Sequence, residues 1–276
     1  MAMGYLNGKF INSSDPVLPI DERGHQFGDG VYEFIRVYNG RPFMMHQHME
    51  RLFKSAEAIR LNIGKTVKDI IAIVEDLIER SGQANCDVYM QVTRGIAPRD
   101  HLFPNVEASI SMTVKPFKLI SDDIRKVGAT VKLLPDERWQ NCWIKSLNLL
   151  PNILAKQAAF EVGALEAVLV RDGFITEGSS SNFFIVKNGE ILTAPATNHI
   201  LHGITRIAVK EIAMELGITL KEQAFTPDEL LAADEAFLSS TGLEILPVTE
   251  VDEQKIGNGC PGTVTVTLYE EFLKRI

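Results

Sequence analysis

Apolar residues recur along this chain in two rhythms, and the switch between them predicts its elements. A period near 3.6 sets Ile70, Ile73, Val74, Leu77 and Ile78 on one helical face, and Ile204, Ile207, Ala208, Ile212 and Leu216 on another. The spacing predicts three more helices, over 46–60, 149–162 and 263–274. Shorter runs rich in β-branched and aromatic residues predict strands over 4–11, 32–37, 43–45, 88–93 and 109–115. A second set of strands is predicted over 130–133, 166–170, 174–176, 182–187, 191–193, 235–239 and 245–250. Asn7-Gly8, Asn39-Gly40, Asp172-Gly173 and Asn188-Gly189 sit between such runs, where a tight hairpin needs two residues tolerant of positive φ. Strands and helices come in segregated runs, which predicts an α+β protein with antiparallel or mixed sheets. The polar stretch 118–126 follows Pro116 and predicts a boundary there, with domains over 1–118 and 119–276.

Composition narrows the class. The 276 residues are 45% hydrophobic and 23% charged, as in a soluble globular protein of one large or two moderate domains. Apolar runs are broken by charge well short of the ~18 residues that a membrane span needs. The stretch Met1–Phe10 lacks the basic-then-apolar layout of a signal peptide. Cys86, Cys142 and Cys260 are odd in number and widely spaced, which argues against a disulfide framework or a zinc cluster and for the cytoplasm. A net charge of −8 argues against a nucleic-acid partner, because phosphate backbones are bound by clustered Lys and Arg.

Several motifs fail on context. Gly257-Asn-Gly-Cys-Pro-Gly262 matches a dinucleotide fingerprint as a string, but no βαβ unit follows it and Pro261 occupies the turn. A loop leading into the last helix accounts for it better. His46 and His48 lack a third ligand nearby, so no metal site is expected. Ser179, Ser180 and Ser181 have no G-x-S-x-G elbow around them.

Other segments carry chemistry. Lys145 stands among apolar neighbours in Cys142-Trp-Ile-Lys-Ser-Leu-Asn-Leu-Leu150. It either snorkels at a helix start or sheds its proton and becomes ready to form a Schiff base with a carbonyl. Thr176-Glu-Gly-Ser-Ser-Ser-Asn182 packs a carboxylate, a glycine and small hydrogen-bonding side chains into one turn. Gly203-Ile-Thr-Arg206 opens an amphipathic helix whose first N–H groups and Thr hydroxyl suit a phosphate, and Ser239-Ser-Thr-Gly242 adds donors after a strand. Arg51 is a candidate cationic partner. In Pro98-Arg-Asp-His101, alternate side chains of an extended loop put Arg99 and His101 on one side, where both can face one anion. The three glycines of Arg23-Gly-His-Gln-Phe-Gly-Asp-Gly-Val-Tyr-Glu33 permit a tight turn that delivers Tyr32 and Glu33 to fixed positions.

In order and spacing, the Gly-Asp-Gly-Val-Tyr-Glu, Lys-Ser-Leu-Asn-Leu-Leu, Thr-Glu-Gly-Ser-Ser-Ser-Asn and Gly-Ile-Thr-Arg stretches resemble the class IV aminotransferases of pyridoxal-phosphate fold type IV. The resemblance runs from Tyr5 to the C-terminal helix. The Arg99/His101 loop is similar to that of the D-specific branch. Branched-chain aminotransferases, aminodeoxychorismate lyases and (R)-amine transaminases share the Lys and Glu segments but normally lack this loop. Gly242-Leu243 departs from the polar residues usual in the D-specific branch, which bears on a contact near the phosphate or substrate pocket.

The resemblance implies an N-terminal α/β domain, a C-terminal pseudo-barrel domain, pyridoxal 5'-phosphate at their interface, and a homodimer. It implies that Lys145 holds the cofactor and moves the substrate α-proton, and that Glu177 faces the pyridine nitrogen. Arg51, the N–H groups of Ile204 and Thr205, and the side chains of Thr205, Ser240 and Thr241 would hold the phosphate. Tyr32, Arg99 and His101 would hold the substrate carboxylate, with Arg99 and His101 arriving from the partner subunit. The implied reaction is ping-pong transfer of the amino group of D-alanine, and of other D-amino acids, to 2-oxoglutarate, giving pyruvate and D-glutamate. A branched-chain L-amino-acid aminotransferase and an aminodeoxychorismate lyase are the alternatives within the fold. Lys145 and Glu177 together weigh against a non-catalytic binding protein, which has no chemical need for both.

Overall fold

A computed structural model describes residues 3–276; Met1 and Ala2, at the head of the N-terminal stretch read above, lie outside the described residues. The chain divides into two compact units. One takes the chain up to Lys118 together with Ile144–Asn148, and the other comprises Leu119–Trp143 and Leu149–Ile276. A single cut after residue 118 therefore misplaces one segment. Ile144–Asn148 lies late in the chain but is tied to the first unit by main-chain hydrogen bonds.

In the first unit, β1 (Met3–Leu6), β2 (Lys9–Asn12), α1 (Arg23–Phe27), β3 (Gly30–Tyr38) and β4 (Arg41–Pro42) lead into α2 (Met45–Ala58) and α3 (Val67–Ser81). β5 (Cys86–Thr93) and β6 (Ser109–Pro116) complete it. The strands form one antiparallel sheet in the order β2-β1-β6-β5-β3-β4. α2 packs on β3, and α3 on β1 and β6. Ile70, Val74, Leu77 and Ile78 are the buried face of α3, which Thr66 and Asp69 start with a reciprocal capping box.

In the second unit, α4 (Asp122–Val127), β7 (Ala129–Pro135) and α5 (Leu150–Glu161) precede the hairpins β8 (Glu166–Arg171) with β9 (Phe174–Gly178) and β10 (Asn182–Lys187) with β11 (Glu190–Thr193). α6 (Ile204–Glu215), β12 (Leu220–Glu222), α7 (Pro227–Leu231), β13 (Glu235–Ser240), β14 (Glu244–Val251), β15 (Gln254–Lys255) and α8 (Thr263–Leu273) follow. The main sheet runs β12-β11-β10-β13-β14-β7-β8-β9, with β15 on β14 and parallel pairs at β11–β12, β14–β7 and β7–β8. It curls into a half-barrel. Phe183, Ile185, Leu238, Leu246 and Val248 fill one face. On the other, Phe184 and Phe237 stack at 4.6 Å, and α6 and α8 pack against the central strands.

All four predicted hairpin dipeptides form turns with both residues at positive φ, from Asn7 at 46° to Gly8 at 92°. The strand predicted over 43–45 is absent. Phe43 and Met44 form a turn, and Met44, at φ 49°, caps α2 in the left-handed region. α1, α4, α7, β12 and β15 were not anticipated. Among the described residues no helix is long and apolar enough to cross a membrane.

Candidate active site

Lys145 owes its position to β3. Tyr32 N donates to Lys145 O at 2.9 Å, Leu147 N donates to Gly30 O at 3.1 Å, and Ser146 bridges Val31. Ile144–Asn148 thus lies along the start of β3 as a short extra strand. From α2, Ser55 Oγ accepts from Lys145 N at 3.2 Å. With its main chain held on two sides, Lys145 places Nζ 4.2 Å from the centroid of the Tyr32 ring. The ring also packs on Tyr89 at 5.8 Å.

Beside this lysine lies a cluster that sequence reading did not assemble. Along β3 the alternate residues Val31, Glu33, Ile35 and Val37 are all buried, so Glu33 is a carboxylate in an apolar register. It is matched from α2, where His48, Arg51 and Ser55 share a face. Arg51 donates Nε to Glu33 Oε1 at 2.7 Å and Nη2 to Oε2 at 2.8 Å, and His48 Nδ1 stands 2.7 Å from Oε2. Arg51 and His48 hold the Glu33 carboxyl well below the usual carboxylate range despite its burial. Burial holds His48 below its ordinary value, partly offset by Glu33, with Arg51 and Lys145 adding to the depression. Arg51, predicted to meet a phosphate, thus has a carboxylate partner within its own unit. A charged residue at an apolar register position was the legible sign of Glu33; nothing local pointed to His48 or Ser55.

Arg99 and His101 are exposed on the loop between β5 and β6. Both rest on Phe27, the Arg99 guanidinium 4.8 Å from its centroid and the His101 ring at 5.5 Å. Asp29 accepts from Arg23 at 2.8 Å and from Arg94 at 2.9 Å, Arg23 reaches Asp100 O at 2.6 Å, and Arg94 covers the Phe103 ring at 3.7 Å. The loop is therefore fixed at both ends. No hydrogen bond or ring contact among the described residues joins it to Tyr32 within this chain.

In the second unit Glu177 sits on β9, 3% exposed. It accepts from Arg138 Nη1, from Asn182 Nδ2 at 2.9 Å and from Leu201 N at 2.9 Å. Burial pushes its carboxyl up, while Arg138 and the Leu201 N–H pull it back. Asn182 also donates to Leu201 O at 2.8 Å, and a Cβ on Gly203 would run into its Oδ1. That close approach brings the start of α6 against Glu177's partner. Gly203 gives α6 no side-chain cap, leaving the N–H groups of Ile204 and Thr205 without one. Thr205, the second residue of α6, is buried. α6 packs on β13, where Ser239 lies opposite Asn182. Ser239 Oγ is buried without a partner among the described residues, and Ser240 Oγ accepts from Leu243 N at 3.1 Å. Thr241 follows in the turn to β14. Asn182 stands in the 176–182 motif read from the sequence, whereas Arg138, separated from Glu177 by 39 residues, had no local sign.

The first unit offers a lysine amine over an aromatic ring, and the second a buried carboxylate and a helix start without a side-chain cap; each is a group whose chemistry suits one part of a phosphorylated pyridine aldehyde. The residues present fit pyridoxal 5'-phosphate. The family model described as amino-transferase class IV matches residues 30–251, and the chain belongs to that family, whose members depend on this cofactor. The chain is 41% identical over 278 residues to a D-alanine aminotransferase of Staphylococcus haemolyticus, covering 100% of this chain and 98% of the relative. It is 43% identical to that of Bacillus licheniformis, covering 94% and 92%. Among solved structures it is similar to the branched-chain amino acid aminotransferase of Escherichia coli, at TM-score 0.92 and 26% identity over 99% of this chain and 93% of that one. A T.th. branched-chain amino acid aminotransferase with pyridoxamine 5'-phosphate gives 0.91 and 27%, with the same coverage.

Proposed function

We propose that this protein transfers the amino group of D-alanine, and of other D-amino acids, to 2-oxoglutarate, releasing pyruvate and forming D-glutamate. The single observation carrying the reading is the placement of Lys145 over Tyr32 beside the Glu33–Arg51–His48 cluster, in a chain whose full-length relatives bear a D-alanine aminotransferase name. Pyridoxal 5'-phosphate, when bound, supplies the electron sink that stabilises negative charge at the substrate α-carbon. Lys145 holds it and carries the α-proton. Glu177 partners the ring nitrogen, and Arg51, Ile204, Thr205, Ser240 and Thr241 hold the phosphate. Arg51 does so with its orientation set by Glu33, which takes two of its five donors.

Tyr32, Arg99 and His101 bind the substrate α-carboxylate. Anchoring that group decides which substituent faces the lysine, and so which enantiomer gives up its proton. Arg99 and His101 are exposed in the single chain, which supports their service in a partner's site within a homodimer. The chain works in the cytoplasm, where its cysteines stay reduced.

Purified protein supplied with pyridoxal 5'-phosphate is expected to gain the cofactor's visible absorption, and Lys145→Ala to lack the lysine-bound band. D-alanine with 2-oxoglutarate is then expected to yield pyruvate. Equal or faster transfer from L-leucine overturns the D-specific reading in favour of the branched-chain one, which the structural likeness at 26–27% identity also accommodates.

A further inference from the structure

The second unit holds a buried chain of charges of alternating sign that ends on Glu177. Arg171 Nη2 lies 3.2 Å from Asp136 Oδ1; Asp136 grips Arg138 through Nε and Nη2, both at 2.9 Å; and Arg138 Nη1 reaches Glu177 Oε1. The side chains are 10%, 0%, 6% and 4% exposed in that order, so water does little to stabilise any of these charges. Arg138 also donates to His199 O at 3.1 Å, and Arg171 to Arg138 O at 2.7 Å. These bonds fix the guanidinium in plane and azimuth.

We propose that Arg138 is a positioning residue for the cofactor: its guanidinium keeps Glu177 anionic and aimed, while Asp136 and Arg171 hold the guanidinium in place. The inference rests on the reading above that Glu177 partners the cofactor's ring nitrogen. Only an anionic Glu177 can keep that nitrogen protonated. Its Oε1 takes Arg138 and Leu201 N, whereas Oε2 takes Asn182 and the longer branch from Leu201 at 3.1 Å. The Leu201 N–H is shared between the two oxygens, so three donors meet about four acceptor sites and the carboxylate keeps capacity for one more.

The groups facing Glu177 come from several elements. Arg138 and Asp136 follow β7, and Asp136 opposes the anion. Cys142, from the loop beyond, is itself pushed up to about 11 by burial and stays neutral. β10 and the segment before α6 offer the uncharged donors Asn182 and Leu201 N–H. Arg138 is thus the cation that offsets burial at this carboxylate. A lysine there would keep a charge but not the fork that Asp136 and Glu177 share.

The test uses the holoenzyme of Arg138→Met, with folding checked by circular dichroism, and amino transfer from D-alanine followed from about pH 5 to about pH 9, a range set around the ordinary histidine value. The acid limb is expected to move up by about 1–3 pH units, because Glu177 keeps its proton until higher pH. Guanidinium ion added to Arg138→Ala is expected to move the limb back, which a purely structural lesion does not allow. An unshifted limb in a folded variant overturns the inference. Should both variants fail to fold, infrared difference spectra of wild type against Glu177→Gln, each with bound pyridoxal 5'-phosphate, decide at neutral pH. Carboxylate bands support the inference, and a protonated carboxyl C=O band overturns it. A wild type that neither binds the cofactor nor transfers the amino group overturns the proposed function itself, and this inference with it.

Discussion

At the scale of the residue, the site is built on charges that water does not reach. Glu33 is completely buried, yet two donors of Arg51 and one ring nitrogen of His48 satisfy it. Removing one member of such a set leaves the others unpaired, a loss of about 3–5 kcal/mol. The same burial gives the fold an acid weakness with a definite sign. Burial holds His48 below its ordinary value of 6.5 in the folded state. Its contribution is complete above that pH and fades as pH falls toward the folded value, by up to about 1.4 kcal/mol per pH unit. Glu33, also depressed, adds its own loss below its ordinary value of 4.5. His48→Asn keeps a donor near Nδ1 but cannot titrate. Its unfolding free energy, measured in urea, is expected to stay flat where wild type declines just below 6.5. Parallel curves would assign the acid weakness elsewhere. Residues such as Lys145 and Glu177 were legible because each stands in a local motif. His48 as the partner of Glu33 and Arg138 as the partner of Glu177 were not, because pairing across 15 or 39 residues leaves no trace in either neighbourhood.

At the scale of the element, a five-position excursion decides where the lysine goes. Ile144–Asn148, flanked in sequence by residues of the second unit, belongs to the first and pairs with its β3, and Gly30 makes room for it. A Cβ on Gly30 would meet Val92 O at 2.6 Å and Leu147 Cδ1 at 2.9 Å. Gly30→Ala is therefore expected to cost about 1–3 kcal/mol as an overpacked contact and to loosen Lys145. Thermal unfolding and cofactor retained after dialysis measure both effects. Gly40→Ala separates site damage from backbone strain, since its φ is 78° but its Cβ would meet nothing within 4 Å. It should lower stability and spare cofactor retention; equal cofactor loss in both variants would sink the account of Gly30.

Most elements were legible from periodicity and from four hairpin dipeptides, because those signals are local. The short ones were hidden. α1 has glycine at Gly24 and at its C-cap, Gly28, which read as a turn, and the apolar run at 43–45 yields to the left-handed Met44 that starts α2. The pairing of Ile144–Asn148 with β3 is long-range, and no pattern inside the segment announces it.

At the scale of the whole molecule, an acidic chain of net charge −8 must gather cations for anionic substrates, and the proposed dimer divides that task between two copies. Leu102 and Phe103, next to His101, are 77% and 50% exposed, an apolar surface that a second copy would cover. If Arg99 and His101 serve the partner's site, two inactive proteins must restore each other. Arg99→Ala dimers lack the carboxylate anchor in both sites, and Lys145→Ala dimers lack the amine in both. In a hybrid, one site receives Lys145 from the first chain and Arg99 from the second, both intact, while the other site carries both lesions. Random exchange makes about half of the dimers hybrid, so about a quarter of all sites are native in a closed two-fold assembly. Unfolding and refolding an equal mixture is thus expected to recover roughly a quarter of wild-type D-alanine transfer, whereas each variant refolded alone recovers almost none. If Arg99 acted within its own chain, every hybrid site would carry one lesion and the mixture would stay as inactive as its parts.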